Sequence, residues 1–207
     1  MSKGMLGNLS LSVVQGPRND LDEKLAGSQG AMWLRRLKRF LRGENTIGVP
    51  KTFKVTTDGR SGERLIVDLE AQGDHVDGDA KGLLRGQGFI VTNGVTYKLG
   101  LIRGDEFEDE HRTNQNICAE ALKRGYLDPT FELAPYVREM FSDEDMEHEG
   151  LWGMIIMHQP VIDSLNRLLF LGLRRRGRGG CWLDTFDGKP DRKWDRGVGF
   201  LFLVPSK

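Results

Sequence analysis

Apolar positions change their spacing several times along the chain. In AMWLRRLKRFLR, residues 31–42, Trp33, Leu34, Leu37, Phe40 and Leu41 fall at helical intervals. Arg35, Arg36, Lys38, Arg39 and Arg42 take the other face. This predicts a basic amphipathic helix, stopped by Gly43 and followed by the linker GENTIGVP. TFKVTT (Thr52 to Thr57) predicts a strand, and ERLIVDLEAQ (Glu63 to Gln72) a helix on Leu65, Ile66 and Leu69. GDHVDGDAKGLLRGQG reads as loop with at most one helical turn. GFIV and VTYKLGLI read as strands joined by Asn93-Gly94, a strong hairpin signal.

Thr113 is a good N-cap for a helix through Lys123 that Gly125 would end. Asp128-Pro129 starts a second helix ending near Phe141, with Pro135 kinking it or delaying its start. WGMIIMHQPVID, NRLLFLGLRRR, GCWLDTF and VGFLFLV read as four further strands, spaced as an antiparallel meander. The expected fold class is α+β: a mostly antiparallel sheet with two central helices on one face, plus the basic N-terminal helix. Residues 1–30 read as a flexible arm, 31–48 as the basic helix and linker, and 49–207 as a single α+β domain.

Composition narrows the picture. Apolar residues make up 38% of the 207, enough for one packed core, and 27 glycines favour turns and short strands over a helical bundle. Lys plus Arg equals Asp plus Glu, 30 against 30, which argues against a dedicated polyanion coat. Cys118 and Cys181 are too few for a disulfide framework and read as free thiols. The first residues make a poor signal peptide, and no window reaches the roughly 18 apolar residues of a membrane span. A soluble, cytoplasmic protein without a transmembrane segment is expected.

Candidate chemistry is sparse. The chain has no GxxxxGK[ST], GxGxxG, HExxH, paired CxxC or GxSxG signature. Two acidic runs could offer hard oxygens to a divalent cation: Asp105, Glu106, Glu108, Asp109, Glu110 and His111, then Asp143, Glu144, Asp145, Glu147, His148 and Glu149. Neither has calcium-loop spacing, so both read as solvated loops and no metal is expected. His158 and Asp163 would suit acyl transfer with Ser164 or Cys181 as nucleophile. A His in an apolar strand is more often structural, and Cys181 reads as a small buried hydrophobe. No catalytic residue and no cofactor is assigned.

In GGCWLDTFDGKPDRKW, residues 181–186 alternate as a strand, and Asp187-Gly188-Lys189-Pro190 reads as a turn with Gly188 supplying a positive φ. Its aspartates then serve mainly the turn, and Trp182 and Trp194 read as core or cross-strand partners rather than a ligand cage. The best functional leads are the two basic stretches: Arg35, Arg36, Lys38, Arg39 and Arg42 on the helix, and Arg174, Arg175, Arg176 and Arg178 in RRRGRGG, read as a hairpin loop. They meet either an outside partner or the chain's own acidic runs, and both alternatives stand.

From Trp33 onward, LKRFLRGEN, ALKRGYLDPTFELAPYVREMF, MHQPVIDS and CWLDTFDGKPDRKW with GFLFLVPSK occur in an order that resembles a family of short bacterial and phage-like proteins with no assigned activity. The chain departs from that pattern in residues 1–30 and in RRRGRGG. The resemblance implies no catalytic residue. The leading functional expectation is a non-catalytic binding or regulatory module that contacts a protein partner. The alternatives are a nucleic-acid-associated accessory protein using the basic stretches, and a small metal-dependent hydrolase or nuclease on the acidic and His loops.

Overall fold

A computed structural model describes residues 11–27, 30–41, 51–176 and 181–205 of the chain. The chain divides into two units, Met1–Thr46 and Ile47–Lys207. The described part of the first is two helices, α1 (Leu11–Ala26) and α2 (Gly30–Leu41). α2 is the helix the amphipathic spacing predicts; the linker at 42–50 lies outside the described residues. α1 falls where composition predicted an arm. Its sequence LSVVQGPRNDLDEKLA carries helix formers from Leu21 through Ala26 that tolerate Pro17 upstream, a local preference that overall Gly and Ser content conceals. The Lys24 ammonium sits 4.3 Å from the centre of the Trp33 ring.

The second unit contains β1 (Thr52–Asp58), α3 (Gly62–Ala71), β2 (His75–Val76), α4 (Gly78–Arg85), β3 (Asn93–Arg103), α5 (Asn114–Lys123), α6 (Leu133–Met140) and α7 (Asp143–His148). β4 (Gly153–Ile156), β5 (Val161–Ile162), β6 (Leu168–Arg175), β7 (Cys181–Asp187) and β8 (Val198–Leu203) follow. Local signals place the helix starts. The Ser61 hydroxyl accepts the Arg64 N–H at 3.3 Å, and the Thr113 hydroxyl accepts the Asn116 N–H at 3.3 Å. Gly125, at φ 73°, follows the end of α5. Pro135 delays α6, which begins at Leu133 rather than after Pro129.

The strands form one mixed sheet in the order β1-β3-β8-β4-β6-β7-β2, with β5 on β6. A simple antiparallel meander is not what forms. β8 lies between β3 and β4, antiparallel to the first and parallel to the second, and β2 runs parallel to β7. Turn spacing reveals hairpins, whereas a parallel neighbour arrives by a long crossover that leaves no local mark. The Asn93-Gly94 hairpin is also absent. Asn93 opens β3, which pairs with β1, while Phe89 turns in to pack on the core and the Thr92 N–H donates to Glu132 Oε1 at 2.6 Å. The GFIV segment, residues 88–91, forms no strand.

Residues alternate between the two faces of the sheet. Leu169, Leu171, Leu173, Leu183, Leu201, Met154 and Ile156 join α3, α4 and α6 in one core. Phe170, Phe186, Phe200, Phe202, Ile155 and Met157 join Ile117 and Ala121 of α5 in another. The two central helices, α5 and α6, therefore cover opposite faces instead of sharing one. VGFLFL and GMII are buried at nearly every position because both sides are covered.

Candidate functional site

The groups with the most reactive chemistry are held by their neighbours. His158 is 3% exposed. Its Nδ1 lies 2.7 Å from the Gln159 carbonyl, and its Nε2 lies 2.9 Å from the Leu171 N–H. A carbonyl only accepts and an amide only donates, so the ring is neutral with its proton on Nδ1. Burial pushes its pKa down from 6.5 to about 4. The expected strand ends at Ile156, so His158 falls in the segment between β4 and β5; its ring ties that segment to β6, and a structural role is the one its contacts fit. Asp163 is engaged elsewhere: its Oδ1 accepts the N–H groups of Leu165 and Arg167 at 3.0 and 2.8 Å. The Arg167 backbone and guanidinium hold its carboxyl below the usual range.

The acidic residues of the first run are exposed, as expected, although arginines collect several of their carboxylates; the second run departs from a solvated loop, forming α7 with Asp145 buried. Arg112, 3% exposed, donates to the carbonyls of Gly104 at 2.6 Å, Phe107 at 2.8 Å and Trp194 at 3.1 Å, and to Asp109 at 2.7 Å. That single guanidinium folds the first run. Arg124 holds Glu106, and Arg103 holds Asp105 and Glu149. Among the described residues, no three His, Cys, Asp or Glu come together as metal ligands. A second hub surrounds Arg60, which donates to both oxygens of Glu139 at 2.6 and 2.8 Å and also to Asp58 and Asp68. Beside it Tyr136 donates to Asp58 at 2.9 Å, and burial pushes its phenol up to about 12.

The basic stretches divide. The side chains of Arg35, Arg36, Lys38 and Arg39 and all of Arg42 and Arg178 lie outside the described residues. Arg174 and Arg176 approach Asp184 Oδ2 at 3.0 and 3.3 Å, and Arg175 meets Glu147 at 2.8 Å. Arg175 thus contacts the chain's own second acidic run. Asp184 lies mid-strand, where the alternation from Cys181 to Phe186 places it; it is 5% exposed, between two guanidiniums.

The two tryptophans differ. Trp194 is buried, and its Nε1 donates to Asn114 at 2.7 Å. Trp182 is half-buried, stacked on its parallel cross-strand neighbour His75 with ring centres 4.9 Å apart and with Arg176 4.2 Å over the ring. Gly188 does not have the expected positive φ. It is needed for contact: a Cβ there would lie 3.0 Å from Pro160 and 3.3 Å from the Leu168 backbone. Cys118 is free and exposed on α5, and the Cys181 side chain lies outside the described residues.

One concave feature was not foreseen. A cleft of about 370 Å³ lies between α4, the Gly86–Gly88 segment and the β5–β6 turn. Gly78 and Gly82, one helical turn apart, line it, and a Cβ at either would meet no atom within 4 Å. Leu83, Phe131, Val161 and Ile162 supply apolar walls, and Ile162 is 62% exposed. Arg167 spans the rim, donating to Asp79 at 2.8 Å and Asp163 at 2.6 Å. Asn166, at φ 62°, closes the β5–β6 turn. The signal was present as glycines at 78, 82 and 86, a four-residue interval that strips one helix face, but their number suggested loop.

No family model, curated protein or solved structure matches the chain.

Proposed function

We propose that this chain is a non-catalytic binding module that contacts a protein partner, and that the cleft beside α4 receives a segment of that partner. The observation carrying the reading is the glycine-lined cleft, open to backbone approach and walled by exposed and half-exposed apolar side chains. Such a combination suits an extended peptide, whose main chain can lie against bare helix while its side chains meet Ile162, Val161 and Phe131. The engagement of His158, Asp163 and the acidic runs supports a binding role over hydrolysis. The engagement of Arg174, Arg175 and Arg176 by carboxylates weakens the nucleic-acid alternative in this unit. The family likeness drawn from the ordered phrases after Trp33, and a cytoplasmic setting, belong to the same proposal.

Gly82→Trp tests it. The added side chain has open space, and leaving Gly improves helix propensity, so the melting temperature should hold. Proteins captured from the native lysate by the unaltered chain should be lost by Gly82→Trp and by Ile162→Glu. Capture unchanged by both substitutions refutes the cleft. Duplex DNA binding with a steep salt slope, insensitive to both, would favour the nucleic-acid reading.

A further inference from the structure

Within the described residues of the first unit, α2 carries an apolar side that is largely exposed. Leu34 is 44% exposed, Phe40 65% and Leu41 72%, while Trp33 and Leu37 are half-buried. At 100° per residue, these five positions share one side of the helix, and Arg35, Arg36, Lys38 and Arg39 fall on the other by sequence register. The charge is also segregated along the chain. Between Glu23 and Glu44 there is no acidic residue and there are six basic ones, in a protein whose total charge balances.

We propose that α2 binds an anionic lipid surface, lying in the plane of the interface with Leu34, Phe40 and Leu41 entering it. Charge complementarity selects the occupant. Five cations from Arg35 to Arg42 without an intervening carboxylate suit anionic headgroups, and the large exposed apolar side chains need an apolar phase that nucleic acid does not offer. The aromatic Trp33 and Phe40 stand one at each end of the apolar side, where interfacial helices place such rings. α2 has only 12 residues, and no described helix is long and apolar enough to cross a membrane, so the mode is lying on the surface rather than spanning. This inference concerns the first unit and stands independently of the cleft.

The test uses the full chain and vesicles of phosphatidylcholine with and without phosphatidylglycerol, read by flotation. The chain should float with the anionic vesicles, stay behind with the neutral ones, and release as salt rises. Phe40→Glu with Leu41→Glu should abolish flotation without loss of helix by circular dichroism, because both side chains already face water. Arg35→Glu with Arg39→Glu should weaken it by more than twentyfold, since each basic residue near an anionic surface contributes about fivefold. Phe40→Trp should retain binding. Absence of flotation at low salt overturns the proposal. So does flotation that the Phe40/Leu41 pair leaves unchanged, and so does duplex DNA binding of equal strength that is indifferent to the same pair, which would make the helix a phosphate contact.

Discussion

His158 makes acidification a sharp probe of the fold. In the native state its Nδ1–H donates to Gln159, its Nε2 accepts from Leu171, and the Phe131 and Phe170 rings lie 5.4 Å away. A proton added to Nε2 would face the Leu171 N–H with no acceptor. Burial disfavours the charged ring, and the native pKa is about 4, against 6.5 for the unfolded chain. The sign follows from which state binds the proton. Above pH 6.5 both states are neutral and the folded state has its full stability. Between 6.5 and about 4 the unfolded chain takes up a proton that the native one refuses, so stability falls as pH falls. The drop from 6.5 to about 4, at roughly 1.4 kcal/mol per pH unit, makes about 3 kcal/mol, with no discount for solvent because the ring is buried.

His158→Gln supplies the comparison. Gln can offer Oε1 to the Leu171 N–H and does not titrate. Urea unfolding from pH 8 to pH 4 should show the variant weaker at neutral pH by about 1–2 kcal/mol, from one lost hydrogen bond and imperfect packing. The difference between the two curves should then shrink or reverse as pH falls. Carboxylates such as Asp58 and Asp163, held low by arginine contacts, contribute to both curves and cancel. Parallel curves over this range would refute the reasoning, as would a nitrogen spectrum placing the ring proton on Nε2.

Gly172→Ala should destabilise by about 2 kcal/mol or more, since its Cβ would meet Met154 O at 2.5 Å and Ile155 Cα at 3.0 Å; an unchanged melting curve would mean β4 and β6 pack less tightly than described. Arg112→Met should cost about 3–5 kcal/mol, because three carbonyls lose a shared buried donor, and exchange protection in residues 104–111 should collapse with it. Trp194→Ala should cost about 3–5 kcal/mol and Trp182→Ala clearly less, because only the first fills the core; equal losses in thermal unfolding would contradict that difference. Asp184→Asn should lower stability by about 1–3 kcal/mol in the same assay through the two arginines it leaves, and salt should narrow the gap.

Local signals were legible in the chain itself. Helical spacing at Leu65, Ile66 and Leu69 set α3, Thr113 and Gly125 bounded α5, and the alternation from Cys181 to Phe186 set β7. Each depends on a few adjacent residues, so a linear reading reaches it. The structural role of His158 was legible too, because an apolar stretch buries a histidine and leaves its ring little beyond hydrogen bonds to backbone, although the strand expected there ends at Ile156. Sheet order was not legible. β8 enters between β3 and β4 through partners about a hundred and about forty-five residues away, and a parallel neighbour leaves no turn to mark it. The division of α5 and α6 between two faces was decided with it, since a sheet buried on both sides needs cover on both. Gly188 and Asp184 show the same limit at single positions. The first is fixed by the approach of Pro160 and the second by arginines on β6 and at its end. The cleft exists only where α4 and the β5–β6 turn stand apart across bare glycine, a distance in space that no spacing along the chain encodes.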